Sequence, residues 1–211
     1  MTELLETEVK FHIPFPDTIR SRIQETGAQY AGRSFEKNIR FEDDTCSLMK
    51  KNALLRLRKT DSRVELTYKG EPPEKSTDFK VHREIEVTVS DFDTTASILK
   101  ELGFHEEQIY EKYRETWNLD DTVVCMDSMP FGDFLEIEGS PENIRKTAAS
   151  LGLDWEKRIL ENYLSIFETL KNESRLSFNN VTFENFKRVD LDFSKLAHLF
   201  EAGGTAGKNT G

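Results

Sequence analysis

The sequence lacks the features that mark secreted and membrane-spanning proteins. It has only two cysteines, Cys46 and Cys125, which form neither a CxxC pair nor a zinc-binding spacing, and such sparse use of cysteine is typical of a reducing compartment. No apolar run approaches the roughly 18 residues of a membrane helix. Residues 1–10 carry three glutamates and contain no hydrophobic core of a signal peptide. These absences predict a cytoplasmic protein without a membrane segment.

An excess of positive charge is also missing. The 211 residues carry a formal net charge of −10, whereas general nucleic-acid and membrane-surface binders are usually basic. We therefore expect neither partner, although an acidic chain can still enclose a locally basic site for an anionic substrate. What the sequence does contain is 15 Phe and 5 Tyr, which is enough core material to argue against disorder. The length suits one well-filled domain with an appendage, or two small domains.

The hydrophobic pattern predicts an α+β protein in which strands outnumber helices by about two to one. Most neighbouring strands can pair antiparallel, so we expect a barrel-like sheet with helices packed on its outer, apolar face. The predicted strands cover 5–13, 30–41, 53–59, 63–69, 79–89, 110–119, 122–127 and 133–138. The predicted helices cover 17–25, 91–103, 140–152 and 156–170.

Charged residues repeat at every second position along these strands. Side chains two residues apart share a face of a strand, so Glu6, Glu8 and Lys10 lie together, as do Arg56 and Arg58. The same spacing recurs in Glu84 and Glu86, and in Glu136 and Glu138. For any one strand, a solvent-facing side of an antiparallel sheet is a sufficient explanation.

Like charges side by side repel each other, however, so stability alone does not favour this pattern on strand after strand. Clustered glutamates suit a hard cation such as Mg²⁺ or Mn²⁺, and clustered arginines and lysines suit phosphate oxygens. Both sets on the inner face of a barrel would form a metal-assisted phosphoryl-transfer site.

The motifs that carry these charges also resemble a known family. The segment 6–10 reads ExExK, which is typical of the CYTH family, the triphosphate tunnel metalloenzymes. Further matches follow in order at 55–58 (LRLR), 67–69 (TYK), 83–86 (REIE), 112–117 (KYRETW) and 132–138 (GDFLEIE). The resemblance covers roughly residues 3–168. It implies an eight-stranded antiparallel tunnel and an enzyme acting on thiamine triphosphate, inorganic tripolyphosphate or a nucleoside triphosphate.

The resemblance also implies roles for individual residues. Glu6, Glu8 and Glu138 resemble the ligands of the metal that holds the triphosphate. Asp127 and Glu136 resemble partners of a second metal or of the attacking water, and Glu84 and Glu86 resemble the mid-barrel acids of the family. The predicted metal ligands are Glu6, Glu8, Glu84, Glu86, Asp127, Glu136 and Glu138. The predicted catalytic set is Glu6, Glu8, Lys10, Asp127 and Glu136. The predicted phosphate-binding set is Lys10, Arg56, Arg58, Lys69, Arg83, Lys112 and Arg114.

The end of the family pattern is altered in this chain. Tyr163 is retained, but the basic residue that the family places near it is missing, and Lys157 or Arg158 is the candidate substitute. The predicted domains are a tunnel domain over 1–170, a C-terminal extension over 171–200 that is helical or docked on the barrel, and a disordered tail over 201–211.

Three functions agree with these residues. We favour a triphosphatase dependent on Mg²⁺ or Mn²⁺, because water needs no pocket for a nucleobase. The alternatives are an adenylyl cyclase of class IV, which makes cyclic AMP and pyrophosphate from ATP, and a non-catalytic triphosphate-binding module. A homodimer is common in the family.

Some residues carry no such prediction. The four histidines are scattered without a metal-binding spacing, so surface or packing roles are expected for His12, His82, His105 and His198. Cys125 lies on the inward face near Asp127, where packing is favoured over nucleophilic chemistry.

Overall fold

The structure, a computed structural model, describes residues 5–203. Its strands are β1 (Leu5–His12), β2 (Gln29–Asp43), β3 (Leu54–Lys59), β4 (Val64–Gly70), β5 (Lys80–Val89), β6 (Phe104–Leu119), β7 (Thr122–Met129), β8 (Gly132–Glu138) and the short β9 (Arg158–Ile159). Its helices are α1 (Pro16–Glu25), α2 (Ser47–Lys50), α3 (Phe92–Glu101), α4 (Pro141–Ser150), α5 (Tyr163–Glu173) and α6 (Phe183–Phe186). Short 3₁₀ turns lie at Trp155–Lys157, Phe193–Lys195 and Ala197–Leu199.

Strands β1 to β8 form a closed antiparallel barrel. The order around the barrel is β5-β4-β3-β2-β6-β7-β8-β1, and β1 pairs back with β5. This seam has four residue pairs, from Leu5 opposite Arg83 to Glu8 opposite Lys80. Where β1 continues beyond the seam, β9 pairs with it instead. The predicted α+β fold, an eight-stranded antiparallel barrel with helices outside, is confirmed.

The outward faces of the strands supply the hydrophobic core. On β1, Val9 and Phe11 pack in one cluster with Ile19 and Ile23 of α1 and with Ile144 of α4. A second cluster joins outward residues of β2 and β3 to the apolar face of α3. Each large side chain buried in this way contributes about 1.5–3 kcal/mol. The charged alternate positions are therefore left to face the inside of the barrel.

Helices α3, α4, α5 and α6 begin at residues whose side chains cap them. Ser140 accepts a hydrogen bond from the backbone N–H of Asn143 at the start of α4, and Pro141 occupies the first helical position, where its missing N–H costs nothing. Asp91 accepts in the same way from Thr94 at the start of α3. Among residues 5–203, no helix combines the length and apolarity needed to cross a lipid bilayer.

The chain differs from the prediction in two places, after β8 and at the start of β6. The last helix was predicted to start at Glu156, but α5 starts at Tyr163, because Asn162 caps it by accepting from the N–H of Ser165. The segment before it forms a 3₁₀ turn and β9. Strand β6 is also longer than predicted, since 104–109 pairs with the second half of β2.

The region after α5 lies against the barrel. Val181 bridges to Tyr110 of β6, and Phe186, Phe193 and Phe200 pack in the cluster that contains the buried face of α5. Of the predicted tail over 201–211, the first three residues are attached to the barrel through two backbone hydrogen bonds, from Ala202 to Arg158 and from Gly203 to Glu156. The rest of that tail, 204–211, lies outside the described residues.

Candidate functional site

A cavity of about 700 Å³ occupies the inside of the barrel. Its lining includes nine Lys or Arg side chains and seven Glu side chains, so the cavity wall is more basic than the acidic chain as a whole. The basic residues are Lys10, Arg33, Arg56, Arg58, Arg63, Lys69, Lys80, Lys112 and Arg114. The acidic residues are Glu6, Glu8, Glu36, Glu84, Glu86, Glu136 and Glu138.

Lys10 lies between carboxylates of β1 and β8. In the register of these strands Lys10 is opposite Glu136, and Glu8 is opposite Glu138. The Lys10 Nζ atom lies 2.8 Å from Glu136 Oε2 and also contacts Glu8. Although burial opposes its charge, Glu136 and Glu8 raise the pKa of Lys10. Lys10 is therefore a fixed cation at this end of the cavity.

Three glutamates form a cluster beside this lysine. Carboxylate oxygens of Glu8, Glu136 and Glu138 lie within 4.8 Å of one another. Burial and the neighbouring Glu136 raise the pKa of Glu138 well above its usual range, which is the effect expected when like charges share a buried site. A cation bound among these oxygens would relieve that repulsion. The donor set, all carboxylate, fits a hard divalent ion.

The seam between β1 and β5 holds two residues that were not predicted for the site, Lys80 and His82, the second of which was expected to have a surface or packing role. His82 lies opposite Glu6, and Lys80 lies opposite Glu8. Lys80 Nζ donates to Glu8 Oε1 at 2.7 Å, and burial lowers the pKa of Lys80 to about 8. Burial and Lys80 together lower the pKa of His82 to about 4, so its imidazole is neutral at pH 7. The alternation along β5 could have identified Lys80 and His82 as inward-facing, because they share a face with Glu84 and Glu86. Only the pairing at the barrel seam shows which residues of β1 they face.

Glu84 and Glu86 lie further along β5, on the same inward face. Lys69 contacts Glu6 and lies 3.1 Å from Glu84 Oε2. Burial and a hydrogen bond with Glu6 raise the pKa of Glu84 to about 7. Glu86 instead accepts a 2.8 Å hydrogen bond from Thr67. Within the described chain, neither glutamate belongs to a cluster of three metal-ligand atoms.

Two arginines of β3 form the opposite wall of the cavity. Arg56 donates from Nη2 to Thr67 at 3.1 Å, but its buried Nε has no hydrogen-bond partner among residues 5–203. Arg58 Nε lies 3.3 Å from Glu36 Oε2 and donates to Asn38 at 3.1 Å. A buried donor without a partner is unfavourable. An anion in the cavity, such as a phosphate oxygen, could accept from it.

Asp127 pairs with two further cations of the cavity wall, Lys112 and Arg114. Its carboxylate accepts hydrogen bonds from Lys112 at 2.9 Å, from Arg114 at 2.6 Å and from the hydroxyl of Tyr163 at 2.8 Å. Asp127 is 1% exposed and is absent from the described cavity lining, whereas Lys112 and Arg114 line it. These contacts, all with donors, fit a role in positioning Lys112 and Arg114, and the metal or catalytic role of Asp127 stays a prediction.

Comparison with known proteins agrees with this geometry. Residues 4–160 match the family model of the CYTH domain. The chain belongs to the CYTH family. CYTH proteins include triphosphatases and adenylyl cyclases, act on triphosphates such as ATP, and use divalent metals.

Several relatives cover the same part of the chain. A protein of Methanocaldococcus jannaschii, named as a candidate adenylate cyclase, is 27% identical over 168 residues, which are 79% of this chain and 90% of the relative. A solved structure from Pyrococcus horikoshii is 28% identical, covers 75% of this chain and 96% of its own, and has a TM-score of 0.64. A Hippeastrum protein, described as a candidate adenylyl cyclase with dominant triphosphatase activity, is 15% identical with a TM-score of 0.55 over 78% of this chain and 95% of its own. At that identity it shows only that the fold is shared.

The structure places most of the predicted site residues of this CYTH chain on the cavity wall, but neither Asp127 nor Arg83 lines the described cavity. Arg83 lies on the outer, exposed face of β5 and does not line the described cavity. Its neighbours His82 and Glu84 point inward, and consecutive residues of a strand face opposite sides. Arg83 is therefore not part of the phosphate-binding set.

Two other residues of the CYTH tunnel can be assigned from their contacts. Cys125 lines the cavity, and burial raises the pKa of its thiol to about 12, so it stays protonated and unreactive, as expected for a packing role. Arg158, a candidate substitute for the basic residue of the family pattern, instead donates to the backbone carbonyl of Asp78 at 3.2 Å. Lys157 is exposed. Neither side chain reaches the described cavity.

Proposed function

We propose that this protein is a divalent-metal-dependent triphosphatase that hydrolyses inorganic or organic triphosphates. The observation that supports it most directly is the presence, in one closed barrel, of a carboxylate cluster and a wall of arginines and lysines. The cluster comprises Glu8, Glu136 and Glu138. A binding module for anions would need only the basic half, so the acidic half favours an enzyme.

The carboxylate cluster would hold Mg²⁺ or Mn²⁺, with Glu6 nearby on the same face of β1. The metal would neutralise charge on the phosphate oxygens and act as a Lewis acid. Lys10 and Lys80 already contact Glu8. An ammonium group has three N–H donors, so each lysine can keep its glutamate and also donate to a phosphate oxygen.

The basic wall would hold the triphosphate chain itself. Arg56, Arg58 and Arg114 present planar guanidinium groups, which match the geometry of phosphate oxygens. Lys69 and Lys112 add single ammonium donors. Phosphoryl transfer needs positioning and stabilisation of charge more than covalent participation by the protein. Side chains that are buried and already paired are well suited to this task, because little reorganisation accompanies the reaction.

Hydrolysis would follow from in-line attack of water on a phosphorus atom, which releases phosphate and a diphosphate species. The second candidate is an adenylyl cyclase, which the name of the Methanocaldococcus jannaschii relative favours. In that reaction the ribose 3′-hydroxyl attacks instead, and cyclic AMP and pyrophosphate result. The same cations would serve both reactions. The homodimer and the cytoplasmic location stay predictions from the sequence.

One experiment distinguishes these functions. The purified protein is incubated with Mg²⁺ or Mn²⁺ and, in separate reactions, with tripolyphosphate, thiamine triphosphate and ATP, and the products are separated. Release of phosphate supports the triphosphatase, and cyclic AMP with pyrophosphate supports the cyclase. Binding of tripolyphosphate without any product would support the binding module. A chelator is expected to stop turnover, and turnover that survives it would exclude the proposed metal dependence.

A further inference from the structure

A second group of metal-ligand atoms lies at the seam of the barrel. Glu6 and His82 are directly opposite each other on β1 and β5, where side chains on the same face are about 5 Å apart at Cβ. One ligand atom from each of Glu6, Glu8 and His82 lies within 4.8 Å of the other two. Glu8 also belongs to the all-carboxylate cluster with Glu136 and Glu138. Two groups of three possible ligands therefore share one glutamate.

The imidazole of His82 contributes one nitrogen to this group and also has a nitrogen without a partner. Its Nε2 atom is shielded from solvent and has no hydrogen-bond partner among residues 5–203. A buried polar atom without a partner is unfavourable by about 1–3 kcal/mol. A neutral imidazole nitrogen is also the commonest protein ligand of transition metals. This atom is a second observation, independent of the two glutamates, that points to a cation.

The lysines around this group leave carboxylate oxygens available. Both ammonium contacts of Glu8, from Lys10 and Lys80, are made to its Oε1 atom. The contact of Glu6 with Lys69 uses Oε2. One oxygen of each glutamate is thus not used by these lysines. It could bind a metal while the other oxygen keeps its ion pair, in competition at Glu6 with the hydrogen bond to Glu84.

We propose that Glu6, Glu8 and His82 form a mixed nitrogen and oxygen site that selects a transition-metal ion such as Mn²⁺ over Mg²⁺. The inference rests on the proposed function for its assumption that divalent metals enter this cavity. Carboxylates alone suit Mg²⁺, whereas an imidazole ligand favours first-row transition metals. The barrel therefore has two positions of different chemistry, one with carboxylate ligands alone and one with an imidazole ligand that favours Mn²⁺ over Mg²⁺.

The test is spectroscopic and needs no turnover. Mn²⁺ is added at less than one equivalent to the whole protein in excess Mg²⁺, which fills the all-carboxylate position, and nitrogen coupling to Mn²⁺ is measured by pulsed electron paramagnetic resonance. Protein labelled with ¹⁵N only at histidine is measured alongside. We expect a directly bound nitrogen whose signal changes with the histidine label, which separates it from lysine nitrogens. Absence of histidine coupling in the wild-type protein would overturn the proposal.

Variants identify the histidine. His82→Gln is expected to lose the nitrogen signal and to weaken Mn²⁺ binding by about 10-fold or more, with Mg²⁺ binding changed far less. The matched control is His198→Gln, which alters an exposed histidine and should keep the signal. A signal that persists in His82→Gln would contradict the assignment. Since the wild-type result alone decides whether any histidine binds, a poorly folded variant does not obscure it. Histidine coupling in a protein that hydrolyses none of the triphosphates would refute the proposed function and leave this site intact.

Discussion

The hydroxyl of Tyr163 donates a 2.8 Å hydrogen bond to the carboxylate of Asp127. Tyr163 is the first residue of α5 and lines the cavity, and Asp127 lies on the inward face of β7. Asp127 in turn accepts from Lys112 and Arg114, which line the cavity. The start of α5 is thereby connected to two cations of the proposed phosphate site.

Removing this hydroxyl is expected to disturb substrate binding more than chemistry. Tyr163→Phe leaves Asp127 with its two cationic partners but takes away one of its three donors. We expect a free energy of unfolding lower by about 1 kcal/mol and a KM for tripolyphosphate several-fold higher, with kcat changed less. Tyr30→Phe, at an exposed position, is the control for loss of a hydroxyl. A decrease confined to kcat would argue against the positioning role.

The arginine wall should contribute strongly to turnover. Arg56→Ala or Arg58→Ala is expected to lower kcat/KM by an amount equivalent to about 3 kcal/mol, the scale seen when one preorganised donor is removed from a transition state. Arg83→Ala is the matched control, because it removes the same side chain from the outer face of β5, and wild-type kinetics are expected. Steady-state kinetics on the best substrate provide the comparison. Full activity in Arg56→Ala would remove that residue from the proposed site.

Much of the fold and site could be predicted because the signal is local. The alternation of apolar and charged residues along 5–13 and 53–59 identified strands and separated an inner from an outer face. Arg83 is the exception. The matching segment 83–86 suggested a binding role for it, but the alternation that places Glu84 inside necessarily places Arg83 outside.

Other parts of the site could not be predicted because they depend on pairing between distant segments. His82 and Lys80 become site residues only through the β1–β5 seam, which joins positions more than 70 residues apart in the chain. No spacing rule for metal ligands includes that separation. The start of α5 was missed for a related reason, since β9 takes up residues of helical character to pair with β1.

The glutamates of β1 should be needed for metal binding. Glu8→Gln keeps the size of the side chain but removes the negative charge, so we expect loss of metal-dependent turnover and at least about 10-fold weaker Mg²⁺ binding by calorimetry. Glu6→Gln should also lose turnover. Glu173→Gln, at the exposed end of α5, controls for loss of one charge. Metal binding unchanged in Glu8→Gln would exclude it as a ligand.

Glu84 should make stability depend on pH in a definite direction. In the folded chain its pKa is raised to about 7 from an ordinary value of 4.5, by burial and by Glu6. Between these two pH values the folded state holds more protons than the unfolded state, so stability decreases as pH rises through this window and the loss is complete above pH 7. Glu84→Gln cannot titrate, and this contribution disappears.

The difference between variant and wild type is the quantity to measure, because His82, whose pKa is lowered to about 4, affects the same window with the opposite sign. With metal removed by a chelator, urea unfolding at pH 4.5 and at pH 8 should show Glu84→Gln gaining about 1–2 kcal/mol relative to wild type at the higher pH. This is less than the roughly 3 kcal/mol of a fully buried group with that shift, because Glu84 is only partly buried and solvent screens its charge. Glu74→Gln, in an exposed loop, should follow the wild type. A constant difference across the window would mean that Glu84 is ionised throughout, and that Glu6 carries the proton of the hydrogen bond between these two carboxyl groups.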